Sequence, residues 1–154
     1  GPARDAAKNV GKLAPGLSYR LYHGVWEMLP DFASLTPAKE GVATEVKLGL
    51  TQRRDALALD FNGYFYAAQE GVYLFHLRSN DGSKLYLGNE VLIDNDGLHK
   101  ITVKSAITTL KKGYHPIRVS YFEAGGQEDL GLSVEGPGFA KTPVTASMLW
   151  HAPK

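Results

Sequence analysis

The sequence predicts an all-β domain, a sandwich or barrel of antiparallel strands. Three observations carry this. About ten short runs alternate apolar and polar residues, glycine, proline, asparagine and aspartate separate them, and no long amphipathic helix interrupts the series. Crossover helices of the kind a parallel α/β sheet needs are missing as well.

Residues 1–14 show no sustained period and read as a linker or arm, and the domain is expected over residues 15–152. In "GLSYRLYHG", Leu17, Tyr19 and Leu21 fall on one face and Ser18 and Arg20 on the other, the pattern of a half-buried strand. "VWEMLPDFASLTPAKEG" carries two prolines and reads as a long connection with one helical turn. "EVKLGL" alternates Val46, Leu48 and Leu50, and "ALALDFNGYFYAAQ" aligns Leu57, Leu59 and Phe61. "GVYLFHLRS" is nearly all apolar and predicts a strand buried on both faces. "KLYLG" and "EVLID" are joined by Gly88-Asn89, a pair suited to a tight hairpin turn. "ITVKSAITTL" sets Ile101, Val103, Ser105 and Ile107 at period two, "YHPIRVSYFEAGG" groups Ile117, Val119 and Tyr121, and "LGLSVEGPG" closes the series.

At 154 residues the chain is long enough for one domain with a proper core. Its net charge of +1 and its scattered lysines and arginines argue against a nucleic-acid surface, which needs a concentrated basic patch. No apolar run is long enough to cross a bilayer, so no membrane insertion is expected. Cysteine is absent, which leaves the redox compartment open. The opening Gly1-Pro2 resembles the scar of a removed tag, so a native targeting segment is expected to have been lost with it.

One stretch concentrates polar turn residues: "SNDGSKLYLGNEVLIDNDG", Ser79 to Gly97. On residue types alone, Asn80-Asp81-Gly82-Ser83 is a turn, and Asp94 and Asn95 cap the backbone of a second. Asp94–Gly97 is not an EF-hand loop. Its glycine comes fourth instead of sixth, and Ser105 stands where the bidentate glutamate belongs. His23, His76, His99 and His151 have no metal-ligand spacing, His115-Pro116 reads as a strand entry, and His76 reads as a satisfied core or edge residue. No nucleophile elbow, phosphate loop or zinc motif is present. Trp26, Tyr64, Tyr66, Tyr86 and Trp150 are aromatics that could stack on sugars, although most aromatics of a sandwich belong to its core. Tyr86, alternating against Leu85 and Leu87, is the best surface candidate.

The run from Gly71 to His99 and that from Leu110 to Gly138 resemble the PA14 domain family. Gly71, Tyr73, Phe75, Asp81, Gly82, Leu85, Gly88, Asp94, Asn95, Gly113, His115, Tyr121, Leu130 and Leu132 match its pattern, and "WEMLPDF" suits bacterial members. The resemblance implies an antiparallel β-sandwich that accompanies secreted glycosidases, adhesins and toxins, often as a glycan binder. In lectin-like members two consecutive aspartates joined by a cis peptide hold a calcium ion that binds sugar hydroxyls. Asn80 and Asp81 fall at that pair, so one carboxylate is replaced by an amide that can still ligate. Glu123 falls near a further ligand position and could restore the charge. The resemblance therefore makes Asn80, Asp81 and Glu123 the candidate calcium ligands, with Asp94 and Asn95 beside them, and Asn80, Asp81, Tyr86 and Glu123 the candidate glycan-binding residues.

The expected function is a non-catalytic carbohydrate-binding module of a secreted or cell-surface multidomain protein, assisted by calcium, with a glycan and the parent's other domains as partners. The alternative is a structural module packed against a catalytic or adhesin domain, without a ligand of its own. A large exposed apolar patch would favour that alternative. A glycosidase would need a deep cleft with two carboxylates at a set separation, and nothing in the sequence announces one.

Overall fold

The computed structural model describes residues 1–154 as twelve strands and one 3₁₀ turn at Phe32–Ser34. The strands are β1 (Ala14–Pro15), β2 (Leu17–His23), β3 (Lys39–Ala43), β4 (Leu57–Ala67), β5 (Gly71–Asn80), β6 (Ser83–Leu87), β7 (Glu90–Asn95), β8 (Thr102–Leu110), β9 (Gly113–Glu123), β10 (Asp129–Gly136), β11 (Phe139–Pro143) and β12 (Leu149–His151). They form two antiparallel sheets, which makes the domain a β-sandwich, one of the two architectures that the alternation allows and the one that the resemblance implies. The larger sheet has eight strands and runs β1-β12-β4-β9-β6-β7, with β2 and β3 added beside β4. The smaller runs β11-β10-β5-β8.

Strand alternation puts the odd residues of β4 and β9 inward. Phe61 and Phe65 from β4, and Val119 and Tyr121 from β9, meet Tyr73, Phe75 and Leu77 of β5, all of them buried. Phe65 takes both Tyr73 and Phe75 edge-on, at centroid distances of 5.8 and 5.2 Å, the geometry that aromatic quadrupoles favour. A second, smaller cluster lies on the outside of the larger sheet. There Tyr22, Ala58 and Phe122 are covered by Phe32, Trp26 and Leu29 of the long connection.

The structure departs from the sequence reading in four places. β5 is buried on one face only: Tyr73, Phe75 and Leu77 point in, while Val72 is exposed. In β8 the period is as read, but its apolar face looks outward, with Val103 50% and Ile107 67% exposed. Residues 45–50 form no strand, although Val46 is buried in the core. The strand on that side of β2 is instead Lys39–Ala43, within the segment read as a connection. The N-terminal residues lie along the sandwich edge: the Arg4 and Lys111 N–H groups donate to Thr109 O and Arg4 O, and Ala7 N–H donates to Tyr114 O.

A buried amide joins the sheets. Asn95, fully enclosed at the end of β7, aims its Nδ2 at Leu77 O (3.3 Å), Ser79 Oγ (3.3 Å) and Thr102 O (3.0 Å), which belong to β5 and β8. Removing it leaves buried acceptors unpaired, at a cost of about 1–3 kcal/mol. For a domain of this size, 1 kcal/mol moves the melting point by roughly 2–4 °C. Asn95→Ala should therefore lower the melting temperature by several degrees in calorimetry. A shift within a degree of wild type would show that the amide does not tie the sheets together.

Candidate functional site

The turn between β5 and β6, the β7–β8 loop and the end of β9 converge at one end of the sandwich. The Asn80–Asp81 peptide is cis. Asp81 accepts the His99 N–H at Oδ1 (3.3 Å) and the Ala124 N–H at Oδ2 (3.0 Å), so its carboxylate binds both neighbouring loops. Gly82 is required by close approach. A Cβ there would lie 2.5 Å from Phe122 Cε1 and 2.7 Å from both Asp96 Oδ1 and Gly97 N. Asp96 Oδ1 in turn accepts N–H groups from Gly97 (2.8 Å) and Leu29 (2.9 Å), which pins the long connection to this end.

Glu123 ends β9 on the inward side and is wholly buried. Its Oε1 accepts the Gly125 N–H at 2.9 Å and its Oε2 faces the Tyr121 hydroxyl at 3.3 Å, while that hydroxyl donates to Asn80 O at 2.6 Å. Burial, reinforced by the adjacent Asp81 carboxylate, pushes the Glu123 carboxyl up to about 7. Burial and the Glu123 charge likewise raise the Tyr121 phenol. No lysine, arginine or histidine side chain pairs with Asp81 or Glu123. The result is two neighbouring carboxylates, nearly enclosed, with hydrogen-bond donors but without a counter-cation.

Sequence reasoning singled out Asn80, Asp81 and Glu123, and the fold brings these three together. It does not bring Asp94, Asn95 and Tyr86 to them. Asp94 is exposed and its Oδ1 accepts the Asp96 N–H, closing a turn. Asn95 lies beneath the loop with its amide engaged between the sheets. Tyr86 lies farther along β6, on the outer face of the larger sheet, over Arg118. Asp96 and Tyr121 are the residues that sequence reasoning missed. Asp96 sat inside a motif already explained as a turn, and Tyr121 inside a core alternation, so neither stood out.

The donors available here are hard oxygens, the kind calcium takes. They comprise the Asp81 and Glu123 carboxylates and the Asn80 side-chain amide, which makes no hydrogen bond within the chain. No group of three or more His, Cys, Asp or Glu side chains is placed to hold a metal ion. A calcium ion would thus take two carboxylates and an amide from the side chains. Their chemistry fits it, because a cation would offset the burial and the Asp81 charge that together raise Glu123.

The chain belongs to the PA14 domain family, whose model matches residues 13–146. It is similar to a β-hexosaminidase of Porphyromonas gingivalis, with 26% identity over 119 residues, and it spans 71% of this chain but only 15% of that enzyme. Among solved structures it resembles an anti-sigma factor domain-containing protein, with a TM-score of 0.79 and 18% identity over 92% of this chain and 50% of that one. It also resembles a PA14 sugar-binding domain from an RTX adhesin, with a TM-score of 0.76 and 15% identity over 90% of this chain and 99% of that one.

The raised Glu123 carboxyl sets a pH signature. The group holds its proton more tightly folded than unfolded, so it contributes stability below the ordinary glutamate range and loses it as pH rises toward 7. In chelator, unfolding free energy should fall across pH 5 to 7.5, by something on the order of 2 kcal/mol. Glu123→Gln should flatten that fall. Parallel pH profiles for wild type and variant in urea titrations would count against the buried pair.

Proposed function

We propose that this PA14 domain is a non-catalytic carbohydrate-binding module of a secreted or cell-surface multidomain protein, and that it holds its glycan at the Asn80–Gly82 loop with the help of calcium. The observation that carries this reading is the enclosed pair of Asp81 and Glu123 without a counter-cation, beside the free Asn80 amide. The sugar-binding domain of an adhesin among its structural relatives and the glycosidase among its sequence relatives support the glycan class.

Asp81 would supply the principal carboxylate, fixed by the Ala124 and His99 N–H groups so that little ordering is left for binding. Glu123 would replace the charge lost where asparagine stands at position 80. Tyr121, hydrogen-bonded to Asn80 O, sets the backbone on which both donors ride. Calcium, when bound, would offer its open coordination positions to neighbouring sugar hydroxyls. The loop lies at one end of the sandwich, with Asn80 8% and Asp81 7% exposed.

A ligand bound only by the folded state stabilises it by about 2.7 kcal/mol at a hundredfold excess over its dissociation constant. Millimolar calcium should raise the melting temperature by several degrees and chelator should reverse the rise. Asp81→Ala should abolish the response, and Glu123→Gln should weaken it less, since an amide oxygen still coordinates. A glycan array probed with calcium and with chelator reads the other half. Identical melting in both conditions would end the metal reading, and unchanged glycan binding by Asp81→Ala would reduce the loop to a turn.

A second reading has its own support. Val72, Val103 and Ile107 stand exposed on the outer face of the smaller sheet, at 51%, 50% and 67%. That surface suits packing against another domain of the parent protein.

A further inference from the structure

The outer face of the larger sheet is layered in rows that run across the strands. Under the long connection lies the apolar row Tyr22–Ala58–Phe122. The next row, about 6.7 Å away by strand geometry, is charged: Arg20, Asp60, Ser120 and Lys84 stand opposite one another in register. The third is Ser18–Asn62–Arg118–Tyr86, and the fourth is Trp150–Tyr64–Pro116. Two adjoining clefts of about 510 and 600 Å³ open over the third row and share Ser18, Asn62 and His151, so they form one trough across the strands.

Arg118 organises its floor. Its Nε donates to Asp60 Oδ1 at 2.8 Å, and its guanidinium carbon lies 4.9 Å from the Tyr86 ring centroid and 5.7 Å from that of Phe32. The two terminal nitrogens make no hydrogen bond within the chain, so a fixed fork of donors remains free. The Asn62 Nδ2 donates to Asp60 Oδ2 at 3.3 Å, which turns its exposed carbonyl oxygen to the trough as an acceptor. The Ser18 hydroxyl is unpartnered as well. Tyr64 and Tyr86, both half-buried, line the same cleft on successive rows.

We infer that this trough is a second carbohydrate site, independent of the Asp81 loop and of calcium, which takes a neutral oligosaccharide laid across β6, β9, β4 and β2. Free donors alternate with free acceptors between aromatic rings. That is the complement of a sugar chain, whose hydroxyls both donate and accept and whose ring faces carry C–H groups that pack on aromatic rings. Charge selects the neutral class. Every cation lining the trough already has a carboxylate partner: Arg118 has Asp60, and Arg20 and Lys154 share Glu40, so no unpaired cation is left for a uronic or sulfated chain. The two sites are distinct in space. Glu123 points inward and Arg118 outward, five residues or roughly 17 Å apart along β9.

The test is calorimetric titration of the intact chain with cellotetraose and chitotetraose in EDTA, a condition under which the loop site is silent. At least one tetrasaccharide should bind. Tyr64→Ala, Tyr86→Ala and Asn62→Ala should each weaken it, the tyrosines by roughly tenfold or more. Asn62 is exposed, so its variant should fold as wild type does and keep the test valid if a tyrosine variant is unstable. Asp81→Ala should leave binding in EDTA unchanged. The inference is overturned if neither tetrasaccharide binds in EDTA, if Asp81→Ala abolishes the binding, if none of the trough variants weakens it, or if polygalacturonate is preferred to both. The loop reading stands or falls separately, on the calcium arm.

Discussion

The β4–β9 ladder is the constraint on which the rest of the molecule depends. It pairs Leu57 with Glu123 at one end and Ala67 with Gly113 at the other, without a break in register. Because side chains alternate, that one register decides both faces at once. Inward it stacks Phe61, Phe65, Val119 and Tyr121 into the core. Outward it lays down the apolar, charged, polar and aromatic rows in order. A slip of one residue would bury Asp60 and Arg118 among the aromatics and expose the core. The hydrophobic effect therefore fixes the polar surface as firmly as it fixes the interior.

The same ladder explains why Glu123 is buried. It is the last residue of β9 and occupies an inward position in an apolar alternation that has run out of apolar residues. The β5–β6 turn closes over it and places Asp81 alongside. A structural acid could have been matched there with a lysine or arginine, as Asp60 is matched with Arg118 and Asp129 with Arg78. No such partner is present at this end. Burying charge without compensation is costly, and here the cost is held as a raised Glu123 carboxyl pKa that a cation or a proton can relieve.

Much of the fold was legible because alternation and turn chemistry are local. The hairpin at Gly88-Asn89 and the strands at 17–23, 57–67 and 113–123 could be read directly. What alternation does not say is which face is inside. Ile101, Val103 and Ile107 keep a perfect period and still look outward, because the alternate face of β8 carries Ala106 and Leu110 toward the core. Short pairings such as β3 and β12 depend on their neighbours and leave little trace in sequence. Of the candidate site, a family pattern marked Asn80, Asp81 and Glu123, which the fold brings together. Asp96 and Leu29 meet there only because distant loops converge, and the rows beneath the trough exist only once four strands are in register.

The two proposed sites would hold a polar ligand in opposite ways. The loop keeps its charges enclosed and uncompensated, so under the calcium reading its energy would be electrostatic and its occupancy would follow calcium and pH. The trough pairs its charges internally and offers mainly hydrogen-bonding capacity and aromatic surface, so its energy would be short-ranged and weakly dependent on salt. A rigid sheet fixes the separation between them. If both proposals hold, a glycan long enough to span that separation would meet the second site at an effective concentration set by its own stiffness, and two weak contacts would act as one stronger attachment without any new interaction. A glycan too short to span it would be held by one site alone, so on these two proposals together chain length would become a recognised property of the ligand.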